Sequence, residues 1–336
     1  MRYDFITIGD TGTDAFIRLE TPSAHIDIDK GRREIAMSFA AKVPYEEVYI
    51  VPGIGNSANA AVGASRLGLK SALVSNIGSD YFGEECLKVF KEEKVGTEFI
   101  KIHKNAKTNY HYVLWFDDDR TILVKHEEYP YELPEVGEPS WIYLSSAAKN
   151  SLPWHKSAEN YLNKHPSIKL AFQPGGFQIG FGKDSLSGIY RRSKVVIVNK
   201  EESQTILKTN EGDIKKLLAG MKELGPEIAV ITDGVRGAYA SYDGDPSTNS
   251  GQGFWYMPPY PDPKPPLERT GAGDAFSSAF VAGLCMEMSV VDALRRAPIN
   301  SMSVVQYVGA REGLLTKDKL EEYLRAAPAD YQPKRI

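Results

Sequence analysis

Glu268-Arg269-Thr270-Gly271-Ala272-Gly273-Asp274-Ala275-Phe276 opens into small and apolar residues that continue through Leu284. The run after the glycines predicts a buried helix. Before them lies Pro258-Pro259-Tyr260-Pro261-Asp262-Pro263-Lys264-Pro265-Pro266, which excludes helix and mid-sheet strand and reads as an extended connector. An extended segment therefore meets two glycines and turns into a helix. Glycines there let several backbone N–H groups point one way, and a helix N-terminus adds partial positive charge. The product is an anion hole suited to a transferring phosphoryl group.

Working outward, short apolar runs at residues 5–9, 72–77, 141–145, 169–172, 195–199 and 228–232 read as buried strands. Helical patterns lie between most of them, at residues 59–67, 81–93 and 213–224. This alternation predicts an α/β fold with a mostly parallel central sheet and helices on both faces. Residues 15–20 and 108–125 break it with paired β segments, the second turning at Asp117-Asp118-Asp119-Arg120. They are read as a small β lid, or else as an edge extension of the main sheet. Residues 243–253 read as a turn between strands at 238–242 and 254–257. No internal repeat or linker is evident. One domain over residues 1–336 is expected, with lid strands inserted at about 15–50 and 106–127.

The formal net charge of −4 argues against a nucleic-acid binder. The two cysteines, Cys86 and Cys285, sit in helical patterns without metal-ligand spacing and read as buried thiols. The start of the chain enters a strand pattern without signal-peptide architecture, and no apolar run would span a membrane. The cytoplasm is the expected compartment.

Asp274 has two readings. A carboxylate in a helix's first turn favours the dipole or caps it. Beside an anion hole, it would also serve as the base for an attacking hydroxyl. Here the motif through Phe280 resembles the signature of the ribokinase-like (PfkB) carbohydrate kinases. The resemblance implies that Gly271, Ala272 and Gly273 form the anion hole and that Asp274 is the base. Arg269 stands where the family usually has Asp or Thr, which puts in doubt the monovalent cation used by some members.

The remaining motifs follow in the family's order. Asp14, in the glycine-bearing loop after the first strand, matches an aspartate that binds substrate hydroxyls; alone it reads as a turn residue. Residues 52–61 resemble Gly-Gly-x-x-x-Asn-x-Ala, with Gly55 and Asn59 in register and Ile54 in place of the first glycine. A cap at Asn56 or Ser57 is the alternative there. Asn199-Lys200-Glu201-Glu202 matches the family's Asn-x-x-Glu, implying that Glu202 acts on Mg²⁺ through water; an acidic first turn of a helix is the plainer reading. Thr232, Gly234 and Gly237 match a Thr-x-Gly-x-x-Gly stretch along ATP, and Asn300 is assigned to the adenine wall.

Walker and protein-kinase signatures are absent. The resemblance thus implies ATP-dependent phosphorylation of a sugar hydroxymethyl group. A nucleoside is the alternative acceptor, because residues 110–116 are aromatic enough to stack on a base. A non-catalytic ligand-binding protein on the same fold is the third reading. The lid's apolar outer face suggests a homodimer.

Overall fold

A computed structural model describes residues 2–21, 23–29, 31–117, 119–245 and 250–336. Among these, ten strands form one sheet. From one edge the order is Lys334–Arg335, Ser250–Met257, Ala238–Asp245, Ile228–Thr232, Val195–Asn199, Lys169–Phe172, Trp141–Leu144, Phe5–Ile8, Ser71–Gly78 and Ile100–His103. From Ile228–Thr232 onward every neighbour is parallel; the first three strands extend the sheet antiparallel. The hairpin strands at 238–245 and 250–257 run past the turn expected at 243–253. Residues 246–249 of that turn, and Asp118 of the lid turn, lie outside the described residues.

Strand side chains alternate between two cores. Phe5, Tyr143, Val195, Ile197 and Val230 face one core, closed by helices Asn56–Arg66, Ala272–Cys285 and Val290–Val304. Ile6, Ile8, Ile142, Val196 and Ile231 face the other, closed by Leu152–Lys164 and Ile214–Glu223. Burial on both faces explains why these strands read as continuous apolar runs. Helix Ala272–Cys285 is buried from Ala275 to Leu284, as its uniform apolarity requires. Cys86 is buried and Cys285 half-buried, both as free thiols.

A second sheet of four strands stands over one part of the first, in the order Tyr45–Ile54, Gly12–Leu19, Asn109–Phe116, Asp119–Leu123. Gly12–Leu19 pairs parallel with Asn109–Phe116, although a long stretch of chain separates them. Tyr45–Ile54 is an edge strand that contains Pro52, a residue tolerated only at such an edge. A separate hairpin, Ala24–Asp29 with Arg32–Met37, projects between these two strands in sequence. No described helix is long and apolar enough to cross a membrane.

Candidate active site

Beyond the first strand the chain continues to one side of the sheet, through Ser71–Gly78 and Ile100–His103. From Trp141–Leu144 it advances the other way. The loops leaving Phe5–Ile8 and Trp141–Leu144 therefore diverge, and a crevice opens at the strands' carboxyl ends. A cavity of about 730 Å³ occupies it, reached by Asp10, Ser146, Gln173, Asn199 and Thr232 from successive strand ends. A smaller cavity of about 300 Å³ adjoins it and shares Thr232, Arg269, Ala272 and Gly273.

The glycine motif forms the shared wall. Gly271 is the N-cap and holds φ 80°, the left-handed region. A Cβ there would lie 2.3 Å from that of Ala310, so the loop around Ala310 packs directly on the turn. Gly273, by contrast, faces open space. Asp274 follows in the first turn but does not cap the helix, which has no side-chain cap. Its carboxylate instead accepts three amide N–H bonds. Asn56 Nδ2 donates to Oδ1 at 2.8 Å, Asn59 Nδ2 to Oδ2 at 2.8 Å, and Gln173 Nε2 to Oδ1 at 3.1 Å. Burial pushes the Asp274 carboxyl above its ordinary range and the nearby Asp14 adds to this, while the three amides pull it back.

Asn56 and Asn59 come from the first turn of helix Asn56–Arg66, whose N-cap is Gly55 at φ 123°. The cap considered at Asn56 or Ser57 does not form; Ser57 Oγ donates to Ile8 O. Gly55 packs against the backbone of Asp10, where a Cβ would meet the carbonyl oxygen at 2.6 Å. Asn59 keeps Oδ1 buried without a protein partner. Asp14 lines the same cavity, 3.1 Å from His111 Nδ1, and Nε2 of that histidine is also buried and unpartnered. Asp10 is held at 2.8 Å by the Tyr131 hydroxyl, at 2.9 Å by the Ala148 N–H and at 3.1 Å by His126 Nδ1. Alternation along lid strand Asp119–Leu123 and its continuation turns Arg120, Ile122 and Val124 into the cavity.

On the other side, Asn199 and Glu202 form a capping box. Asn199 Oδ1 accepts the Glu202 N–H and Glu202 Oε2 accepts the Asn199 N–H, each at 2.8 Å. Glu202 nevertheless lines the large cavity, and burial, with Asp274 nearby, raises its carboxyl above the ordinary range. A divalent cation in the crevice would relieve both acids. Among the described residues no cluster of three ligating side chains exists, so Mg²⁺ would rest on phosphates and water with Glu202 beside it. Thr232, Gly234 and Gly237 line the smaller cavity, whose other walls include Tyr260, Phe276, Pro298, Met302 and Val305.

Asn300 requires a correction. It is fully buried, with Nδ2 donating to Ala275 O at 3.0 Å and Oδ1 accepting the Leu315 N–H at 2.9 Å. It ties its own helix to Ala272–Cys285 and to the segment at Leu315, and Pro298, Ser301 and Met302 face the cavity in its place.

A family described as pfkB family carbohydrate kinase matches residues 46–317. The chain belongs to that family. It is 25% identical over 301 residues to a 5-dehydro-2-deoxygluconokinase of Clostridium botulinum, covering 82% of this chain and 85% of that one. Among solved structures, a nucleoside kinase of Methanocaldococcus jannaschii, described as an archaeal member of the ribokinase family, superposes with a TM-score of 0.74 at 16% identity. The match covers 97% of this chain and 99% of the other. Arabidopsis thaliana ribokinase, solved with ribose and ATP, gives a TM-score of 0.74 at 15% identity, covering 97% and 99%.

In this pfkB-family carbohydrate kinase several site residues escaped sequence reading. Asn56 reads from sequence only as a possible cap and Gln173 belongs to no motif, because their common target is Asp274, far away in sequence. His111 was hidden inside an aromatic run. Period-two alternation was the available signal: Asn109 and His111 line the cavity, whereas Tyr110 and Tyr112 turn away and meet each other and Phe82. Trp115 is buried and donates to Asp117 O at 2.8 Å. Of residues 110–116 only the His111 ring therefore faces that cavity, which His126 and Phe177 also line. Glu268 was also passed over. It is fully buried and braces the motif, accepting the Thr270 N–H at 2.6 Å and the Gly309 N–H at 2.9 Å.

Proposed function

We propose that this sugar kinase transfers the γ-phosphate of MgATP to a hydroxymethyl group of a sugar, with Asp274 as the general base. One observation carries the reading: a half-buried carboxylate, not used as a cap, stands at the floor of the large cavity next to the glycine turn that also borders the smaller one. The adenosine part of ATP fits the smaller cavity, among Tyr260, Phe276 and Met302. The polyphosphate then crosses the shared wall, where Arg269 brings positive charge. The sugar takes the larger cavity. Asp14 and Asn59 Oδ1 accept from its hydroxyls, and the unpartnered His111 Nε2 meets a further oxygen.

Asp274 takes the proton as the sugar oxygen attacks in line, and N–H groups of Ala272, Gly273 and Asp274 face the charge that develops. Bound Mg²⁺ would neutralise phosphate charge, with Glu202 and Asn199 ordering its waters. The hydroxyl-matching set of Asp14, Asn59 and His111 in one cavity favours a sugar over a nucleoside. The family, and an Asp274 with no structural duty as a cap, favour catalysis over binding alone.

A coupled ADP-release assay over sugars, sugar acids and nucleosides tests this. Turnover with at least one sugar is expected, and Asp274→Asn should fold normally while kcat falls ~10²–10⁴-fold. A wild-type kcat in that variant, or tight sugar binding without turnover, overturns the reading. We also propose a second copy of the chain against the lid's outer side. Val48, Ile50 and Leu123 are exposed there on edge strands that would otherwise attract unspecific pairing. Light scattering should give a dimer mass that Ile50→Lys reduces; a monomer at all concentrations contradicts it.

A further inference from the structure

The residue behind the Asp274 cradle is Tyr143, fully buried beneath the large cavity in the strand Trp141–Leu144. Its hydroxyl donates to Gln173 Oε1, and the same glutamine amide donates through Nε2 to Asp274 Oδ1 at 3.1 Å. A primary amide turned end for end would set its oxygen against the carboxylate and its NH₂ against the tyrosine. Tyr143, by occupying the oxygen end, holds the NH₂ toward Asp274.

We propose that Tyr143 and Gln173 are positioning residues for the base, a two-step hydrogen-bond chain that keeps Asp274 ionised and aimed in an otherwise desolvated site. The proposal rests on the reading of Asp274 as base. Asn56 and Asn59 also donate to Asp274, and all three amides line the cavity. Gln173 alone is anchored from behind by a buried phenol. The other charged or titratable groups facing Asp274 are Asp14 and Glu202, which oppose its ionisation, with His111 paired to Asp14 and Arg269 farther along the wall. Burial raises the Tyr143 hydroxyl far above its ordinary range, with Asp274 contributing, so it stays a donor at every working pH.

The test is the pH profile of kcat for Gln173→Leu and Tyr143→Phe. Removing a donor disfavours the carboxylate, so its folded pKa rises. The acid limb should move up by about one pH unit or more in Gln173→Leu, a hydrogen bond to a charged group being of that size. It should move less in Tyr143→Phe, and both variants should regain most of the plateau rate at higher pH. Asp274→Asn should lose the limb together with the rate. A uniform drop in kcat with an unmoved limb in Gln173→Leu overturns the positioning role while leaving Asp274 as base. A fully active Asp274→Asn overturns the base itself. Should Tyr143→Phe fail to fold, Gln173→Leu, altered at the cavity wall, decides alone.

Discussion

The two cavities that meet at Gly273 are built on opposite principles. The larger is walled by a polar network whose members already hold one another: Asp14 with His111, Asp10 with Tyr131 and His126, Asp274 with three amides. The smaller is walled mostly by apolar side chains and by glycine backbone at Gly234 and Gly237, with Thr232, Asp262, Arg269 and Ser301 as its polar members. A polar network in a desolvated cavity fixes direction, because each donor or acceptor left over is costly unless a ligand completes it. Asn59 Oδ1 and His111 Nε2 are such remainders, and in the proposed reaction they meet the acceptor's oxygens. An apolar slot with backbone edges binds a flat group by contact and demands little of direction. If the sugar takes the larger cavity and ATP the smaller, as proposed, selectivity is concentrated on the sugar side and the nucleotide side supplies affinity.

The strongest way to break this contrast is at the turn both cavities share. The two glycines of the motif are not equivalent. Gly271 needs its positive φ and has no room for a methyl group beside Ala310. Gly271→Ala should therefore lose stability by more than the ~1–2 kcal/mol of the left-handed backbone alone, and activity with it. Gly273 lies in the first helical turn and faces empty space on both sides of the shared wall. Gly273→Ala should melt no lower than the parent, since alanine favours a helix. Its methyl group would stand in the phosphate path, and kcat should fall by ~10²-fold or more. Thermal melts and steady-state kinetics on the pair separate the outcomes. Equal losses of stability in both would mean that the second glycine is also there for the fold.

How much was legible follows the same division. The parallel strands were readable because burial on both faces leaves unbroken apolar runs, and 169–172, 195–199 and 228–232 emerge with the bounds read from sequence. The nucleotide-side glycines and the anion-hole turn lie in local motifs, where backbone geometry dictates the residue. The acceptor side is assembled from distant pieces. Asn56, Gln173 and Asp274 meet only because three chain segments end at one crevice, and nothing local marks Gln173. The lid's edge strand was hidden by Pro52-Gly53, a pair that normally ends a strand. Asn300 misled for the opposite reason. A polar residue near a site looks like a ligand contact, but this one settles two backbone groups within the core.

A smaller effect sharpens the apolar half of the contrast. Pro298 stands inside helix Val290–Val304 and also lines the nucleotide cavity. Without an N–H it leaves the Leu294 carbonyl without its usual helical donor, so its place in the helix is a cost that packing alone does not require. Pro298→Ala restores the donor and should raise stability, by ~3 kcal/mol at most. The same change withdraws part of the ring from the cavity wall. Losing about one methylene of contact, worth ~0.8 kcal/mol, should raise the KM for ATP ~3–4-fold. The sugar KM should not move, because no sugar-side residue depends on that wall. A higher melting temperature with a weakened ATP KM alone would show that the slot binds by contact. If the sugar KM shifts in parallel, the two cavities are coupled through helix Ala272–Cys285, which borders both, and the division into a directing half and a binding half fails.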